Sequence, residues 1–189
     1  MTGRYPDETA ATAGWLRNYS FVRFAFSALW VAAAFGLARG NPTLSAGLLV
    51  IYPAWDAAAN YVDARRNGGF GRNRSQLVNT IISALTTAAV AWALTLNMSA
   101  VIVVFGLWAV LSGVLQLLTA LRRRGAGGQW VMVLSGAQST LAGLFFLMTV
   151  GSMPDPGIGI VAGYAGFGAV YFLVSAIWLT VKGMRSPVT

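Results

Sequence analysis

The chain of 189 residues is 57% hydrophobic and only 10% charged, with a net charge of +8. Soluble domains carry about 25% charged residues, so the composition excludes a soluble globular protein and favours one that lipid solvates. Cys and His are absent, which removes disulfides, thiolate chemistry and the commonest metal ligand, and we expect no enzyme activity, no metal and no cofactor.

Six long apolar segments follow one another after a polar N-terminal segment, residues 1–18. Each is close to the about 20 residues that cross about 30 Å of hydrocarbon as a helix. We therefore predict an all-α polytopic membrane protein, with a single transmembrane domain over residues 1–189. The spans are predicted at residues 20–38, 43–62, 76–96, 100–121, 130–150 and 159–181. Their connecting loops are short, which predicts antiparallel neighbours in three helical hairpins.

Positive charge collects in alternate gaps between the spans. Apart from Arg39, the cations lie in the N-terminal segment, early in the first span or after the second, fourth and sixth spans: Arg4, Arg17, Arg23, Arg65, Arg66, Arg72, Arg74, Arg122, Arg123, Arg124, Lys182 and Arg185. Short loops rich in Lys and Arg stay in the cytoplasm, so we predict a multi-pass protein of the inner (cytoplasmic) membrane with both termini cytoplasmic. These cations are also suited to contact anionic lipid headgroups, and we expect no nucleic-acid partner.

A weak internal repeat appears when the chain is shifted by about 53 residues. Trp55 then falls on Trp108, and Gln76 falls on Gln129. A further copy begins near Gly166. The repeating unit is an apolar helix that ends in a small or polar patch and is followed by basic residues. The alternative is that any two membrane helices look alike at this level.

The second span carries a carboxylate deep in apolar sequence. Asp56, Asn60 and Asp63 are spaced i, i+4 and i+7, which places them on one helix face. A carboxylate near mid-bilayer costs on the order of 2.5–3.5 kcal/mol on insertion scales, so Asp56 is expected to face protein or water. Arg23, in the antiparallel first span, approaches a similar depth. We expect it to pair with Asp56 or to snorkel towards the membrane surface.

Two interpretations of this polar face stay open. In one, Arg23, Asp56, Asn60 and Asp63 line a cavity or a proton path. In the other, Arg23 and Asp56 form a buried pair that fixes how two helices dock, while Asn60 hydrogen-bonds across the interface. We favour the second.

Weaker polar stripes recur at the same helical spacing in the third and fourth spans. They consist of Asn79, Ser83 and Thr86 in the third span and Ser112, Gln116 and Thr119 in the fourth. Uncharged hydroxyls and amides usually join helices. If several such faces meet in the cytoplasmic half, they form a small polar vestibule.

Small residues form possible packing ridges in the last two spans. Ser135, Ser139 and Gly143 follow one another at intervals of four in the fifth span, and Gly159 and Gly163 form a GxxxG pair in the sixth. Such ridges let helices approach closely. They serve either packing within the chain or self-association, and we expect a homo-oligomer or a membrane-protein partner.

The hairpin repeat resembles a known family. Residues 106–113 (GLWAVLSG), the three arginines 122–124 and residues 129–136 (QWVMVLSG) are similar to the HdeD-like family, whose members carry a short membrane repeat of unknown function. The resemblance is best over residues 101–148. It implies a six-helix inner-membrane protein, with the founding member associated with acid resistance. It supplies no catalytic residues, and the polar second span departs from its pattern.

Three functions are compatible with these features. The first is a non-enzymatic membrane protein of HdeD type, with a structural, stress-related or partner-binding role. The second is a small oligomeric transporter or channel that uses the polar face of the second helix. The third is an accessory subunit of a larger membrane complex.

Overall fold

The computed structural model describes residues 6–122 and 129–185, and over these residues it consists of six α-helices, one short 3-10 turn and no strand. The predicted all-α fold is therefore confirmed. The helices are α1 (Pro6–Gly36), α2 (Pro42–Arg66), α3 (Arg74–Ala93), α4 (Met98–Arg122), α5 (Gln129–Thr149) and α6 (Ile158–Arg185), with the 3-10 turn at Val150–Ser152. Arg4, Arg123 and Arg124, three of the predicted cytoplasmic cations, lie outside the described residues.

Five of the six helices are long and apolar enough to cross a membrane. They contain the stretches Gly14–Gly36, Arg74–Ala93, Met98–Arg122, Trp130–Ser152 and Ile158–Met184. Helix α2 has 25 residues, which is ample length, but the polar residues of its second half lower its mean hydropathy. Helix α1 begins at Pro6, so it extends through much of the segment predicted as a polar N-terminal extension.

Asparagine side chains cap the N-termini of two helices at one end of the bundle. The Asn41 side chain accepts a hydrogen bond from the Leu44 amide at 3.0 Å, and the Asn97 side chain accepts one from the Ala100 amide at 2.8 Å. These bonds satisfy backbone donors that have no partner inside the helix. We call this end, with Arg39, Asn41, Asn97 and Asp155, the far end.

The opposite end carries the arginines. Helix α2 finishes with Arg65 and Arg66, and the chain turns into α3 through Gly68 and Gly69, which have φ values of 93° and 79°. Glycine adopts such angles without a steric penalty. We call this end, with Arg65, Arg66, Arg72, Arg74 and Arg122, the basic end.

The most extensive helix contacts are made by α4 with α5, by α1 with α6 and by α2 with α3. Helices α1 and α2, and likewise α5 and α6, touch much less. The arrangement thus differs from three hairpins taken in sequence. Two of the closely packed pairs, α2–α3 and α4–α5, are consecutive helices whose connection lies at the basic end. The third pair packs the first helix against the last. The pairs α2–α3 and α4–α5 coincide with the two clearest copies of the predicted repeat.

Glycines bring α4 and α5 into backbone contact at two levels. A Cβ added at Gly113 would lie 2.6 Å from the Gly136 carbonyl oxygen, and one added at Gly143 would lie 2.5 Å from the Gly106 carbonyl oxygen. Only glycine fits at such distances. The absence of side chains therefore sets the spacing of this helix pair.

Apolar side chains fill the half of the bundle nearer the far end. Leu49, Val101, Phe105 and Val161 are completely buried, and Trp30 is 3% exposed. They belong to one contiguous cluster, which we call the apolar plug. The Trp30 indole N–H donates to the Leu48 carbonyl oxygen at 2.8 Å, so its polar atom is satisfied inside the plug.

Candidate functional site

A polar cavity of about 340 Å³ lies among the helices on the basic-end side of the apolar plug. All six helices line it, with Arg23, Asp56, Asn79, Gln116, Ser135 and Tyr171 among the lining residues in chain order. On α4 it extends from Trp108 to Thr119, about 16 Å along the helix axis. The cavity, called the central cavity below, therefore runs from mid-depth towards the basic end.

The predicted polar stripes take different places around this cavity. Ser112, Gln116 and Thr119 of α4 all line it. From the α3 stripe only Asn79 lines it, whereas Ser83 and Thr86 are buried between helices.

Arg23 and Asp56 form an ion pair on the wall of the central cavity. A guanidinium N–H of Arg23 donates to Asp56 Oδ1, and both side chains are largely buried, at 11% and 15% exposure. Arg23 also donates to the Tyr19 hydroxyl at 3.1 Å. Its guanidinium carbon lies 4.3 Å from the centre of the Phe172 ring, a cation–π contact. The arginine thereby connects α1 with α2 and α6.

The second oxygen of Asp56 accepts hydrogen bonds from two further groups. The Ser83 hydroxyl lies 2.7 Å from Oδ2, and the Asn60 amide lies 2.9 Å from it. The Trp108 indole N–H in turn donates to Ser83 at 3.1 Å. Asn60 acts within α2, since its amide also bonds to the Asp56 carbonyl oxygen, and the predicted bond from Asn60 across the interface is wrong. Ser83 takes that bridging position.

Asp63 belongs to a separate cluster nearer the basic end and does not line the cavity. It is 6% exposed. Its carboxylate accepts hydrogen bonds from the side chains of Gln76, Asn67 at 2.8 Å and Trp15 at 3.4 Å. These donors come from α3, the loop after α2 and α1, so the buried carboxylate holds three segments together. Asp56 and Asp63 share a helix face, as predicted, but have no partner in common.

Two polar atoms at the central cavity have no hydrogen-bond partner among the described residues. They are the Trp55 indole nitrogen and the Gln116 side-chain oxygen, and both are buried. The Trp55 ring itself stacks on Phe26, with 4.3 Å between centroids. Buried polar groups are nearly always satisfied, so these two atoms indicate places where water or a bound molecule completes the hydrogen bonding.

The predicted small-residue ridges have three different environments. Ser135 and Ser139 line the cavity, and the Ser139 hydroxyl lies 2.7 Å from the Tyr164 hydroxyl. Gly143 packs on α4, as described above. An added Cβ at Gly159 would meet Phe35 of α1 at 3.5 Å, whereas one at Gly163 would meet nothing within 4 Å. The ridge on α5 is therefore used inside the bundle, and Gly163 is exposed on its surface.

Sequence reasoning missed several residues that complete the site. The repeat singles out Gln76 but not its bond to Asp63, and no local pattern marks Trp15 as a partner of Asp63 or Tyr19 as a partner of Arg23. Phe172 and Tyr164 lie in the strongly apolar sequence of α6, where spacing gives no sign that they face Arg23 and Ser139. Among the described residues no group of three or more acidic side chains is placed to hold a metal ion.

These features define a multi-pass helical membrane protein. Residues 78–148, which run from α3 to the end of α5, match the family described as "Short repeat of unknown function (DUF308)". The matched segment contains the residues that carry the resemblance noted above and the glycine contacts between α4 and α5. No curated protein and no solved structure matches the chain.

Proposed function

We propose that the protein is a non-enzymatic integral membrane protein of the cytoplasmic membrane that binds a small polar solute in the central cavity. In this proposal α2 is the sixth span, and both termini are cytoplasmic. One observation carries the proposal: within a largely apolar bundle, polar side chains from all six helices line one cavity. Ionisable groups inside a membrane are costly and usually mark a solute or ion path, and a volume of about 340 Å³ lies in the range of ligand pockets.

The position of the cavity favours one-sided access over an open pore. Along α4 the order is Val101 and Phe105 in the apolar plug, then Trp108 at the cavity, and finally Thr119 near the basic end. With the basic end in the cytoplasm, a polar solute reaches the cavity from the cytoplasm, and the plug separates it from the far side. Transport across the membrane would require the plug to open, as in carriers that bind their substrate near the bilayer midplane.

Because the chain has no Cys, single introduced thiols report this access directly. We expect Ser135→Cys, in the cavity, to react with a membrane-impermeant thiol reagent of zero net charge applied to inside-out vesicles but not to right-side-out vesicles. Ala162→Cys in the fully buried apolar plug should react in neither. Ser152→Cys, exposed at the far end, should show the opposite sidedness.

An unreactive Ser135→Cys in both vesicle orientations would contradict the proposal, since the cavity would then be closed to water. Labelling from the far-end side would contradict the access route. Equal labelling of Ala162→Cys would show that the plug is not closed.

A partner-binding role, either as a homo-oligomer or as an accessory subunit, is the second candidate. It is favoured by Gly163, which is exposed on α6 with open space beside it, where a helix of another chain could approach closely. Native mass spectrometry of protein extracted gently from its own membrane tests this role. Repeated subunits indicate a homo-oligomer, a heteromeric mass indicates an accessory subunit, and a lone chain excludes both. The stress-related role implied by the HdeD-like resemblance has no separate structural support.

A further inference from the structure

We infer that the solute of the central cavity is a molecule of zero net charge that offers both a hydrogen-bond acceptor and a hydrogen-bond donor beside a flat apolar face, as an aromatic amide does. The inference rests on the proposed function and names the chemical class of its solute. It follows from four features of the cavity: its balanced charge, the hydrogen bonds that Asp56 already accepts, two polar atoms without a partner and the aromatic walls.

The formal charge of the cavity wall is already balanced. Arg23 and Asp56 supply its only charged side chains among the described lining residues, and they are paired with each other. A solute with a net charge would leave one charge without a partner in a largely buried, low-dielectric site. Uncompensated buried charges are strongly unfavourable, so the site discriminates against net cations and net anions alike.

The ion pair has little capacity left for a charged competitor. Three donors, from Arg23, Ser83 and Asn60, already occupy the carboxylate of Asp56, and a carboxylate has about four acceptor positions. A cation would therefore gain few contacts. An anion would have to take Arg23 away from Asp56, although the face of the guanidinium is already covered by Phe172.

Two buried polar atoms at the cavity lack a hydrogen-bond partner among the described residues, one a donor and one an acceptor, and neither is charged. The Trp55 indole N–H needs an acceptor, and the Gln116 side-chain oxygen needs a donor. A primary amide supplies both. A few well-placed polar groups among apolar walls are what orients a ligand in most pockets, and an analogue that leaves such atoms unpaired is rejected.

Aromatic side chains supply the apolar walls. Trp55, Tyr52, Trp108 and Phe172 all line the cavity, and Tyr52 and Trp108 meet edge to face with 5.9 Å between centroids. Ring surfaces favour a flat apolar group. The volume of about 340 Å³ corresponds to roughly eleven water molecules, which leaves room for a single-ring molecule with a polar substituent.

Three probes of nearly equal shape test the inference: benzamide, benzoate and benzamidinium, which are neutral, anionic and cationic at neutral pH. Each is titrated against the full chain in lipid nanodiscs, with binding followed by saturation-transfer NMR and protein-free nanodiscs as the blank. We expect saturable binding of benzamide and at least about tenfold weaker binding of both charged probes. A factor of ten corresponds to one ordinary hydrogen bond or a modest charge penalty.

Two substitutions locate the binding. Trp55→Phe keeps an aromatic ring beside Phe26 and removes the N–H together with part of the indole, so we expect it to weaken benzamide binding at least about tenfold. Trp178→Phe is the matched control, because Trp178 is 46% exposed and does not line the cavity. Gln116→Leu removes the side-chain oxygen that needs a donor, so we expect it to weaken benzamide binding to a similar extent. It serves as the second cavity variant if Trp55→Phe does not fold.

Preference for benzoate or benzamidinium would overturn the inference, as would the absence of saturable benzamide binding or benzamide binding that is indifferent to both cavity variants. If Ser135→Cys is labelled as expected while a charged probe is preferred, only the solute class fails and the proposed function stands. If Ser135→Cys is never labelled, the proposed function fails as well, so the two failures are distinguishable.

Discussion

The ion pair between Arg23 and Asp56 allows the most direct test of how the bundle is held together. We consider three variants, Asp56→Asn, Arg23→Met and the two combined, and compare their free energies of unfolding with that of the unaltered chain. Each single substitution leaves one charge in place. Because the two side chains are only 11% and 15% exposed, water screens that remaining charge poorly.

Two estimates give the same magnitude for the loss. Two unit charges about 4 Å apart attract each other by about 4 kcal/mol at an effective dielectric constant of about 20. Removing one partner of a buried pair typically costs about 3–5 kcal/mol. Asp56→Asn also misplaces a donor, because the single oxygen of Asn leaves its NH2 facing either Arg23 or Asn60, both of which donate. We expect about 3–5 kcal/mol of destabilisation from either single change.

The double variant should be less destabilised than the sum of the two single variants, with a coupling energy of about 3 kcal/mol, because Met and Asn leave no isolated charge. The assay is reversible unfolding in mixed micelles, or steric trapping in bicelles. Asp155→Asn, on the exposed far end, removes a carboxylate from the surface and should be neutral. A coupling energy within about 0.5 kcal/mol of zero would refute the conclusion that this pair fixes the docking of α1 on α2.

Two further predictions concern packing. Gly113→Ala places a methyl group 2.6 Å from the Gly136 carbonyl oxygen and should destabilise the bundle by about 1–3 kcal/mol. Gly163→Ala adds a methyl group in open space and should leave the stability unchanged. Equal unfolding midpoints for the two variants would contradict the close approach of α4 and α5. Gln76→Leu removes a donor from the buried Asp63 carboxylate and should lower the unfolding free energy by about 1–3 kcal/mol. The same substitution made in an Asp63→Leu background should cause a much smaller loss. An equal loss in both backgrounds would contradict the contact.

The hydropathy of the sequence predicts the helices of the fold. Apolar runs of membrane-spanning length predict all six helices, because a backbone in lipid must satisfy its own hydrogen bonds. The hydropathy pattern does not predict which helices pack against each other. The contact of α1 with α6 depends on helices at opposite ends of the chain, and no local pattern encodes such a contact.

The candidate site shows a similar division. The similar depth of Arg23 and Asp56 follows from their positions in two antiparallel spans, and the structure places them together. The sequence could not show that Ser83 of α3, and not Asn60 of α2, makes the hydrogen bond that links α2 to α3. Both are small polar residues near Asp56. The glycine contacts between α4 and α5 had a usable signal: Gly106 and Gly113, like Gly136 and Gly143, are seven residues apart and hence on one face.

The contact between α1 and α6 also has a consequence for biosynthesis. Four helices separate the two along the chain, so α1 enters the membrane well before the helix against which it packs. Asp56 becomes available to Arg23 as soon as α2 has been inserted, but Phe172 reaches the same arginine only with α6. A nascent bundle therefore exposes one side of its charged pair until α6 arrives, and the insertion of that helix closes the wall around the cavity.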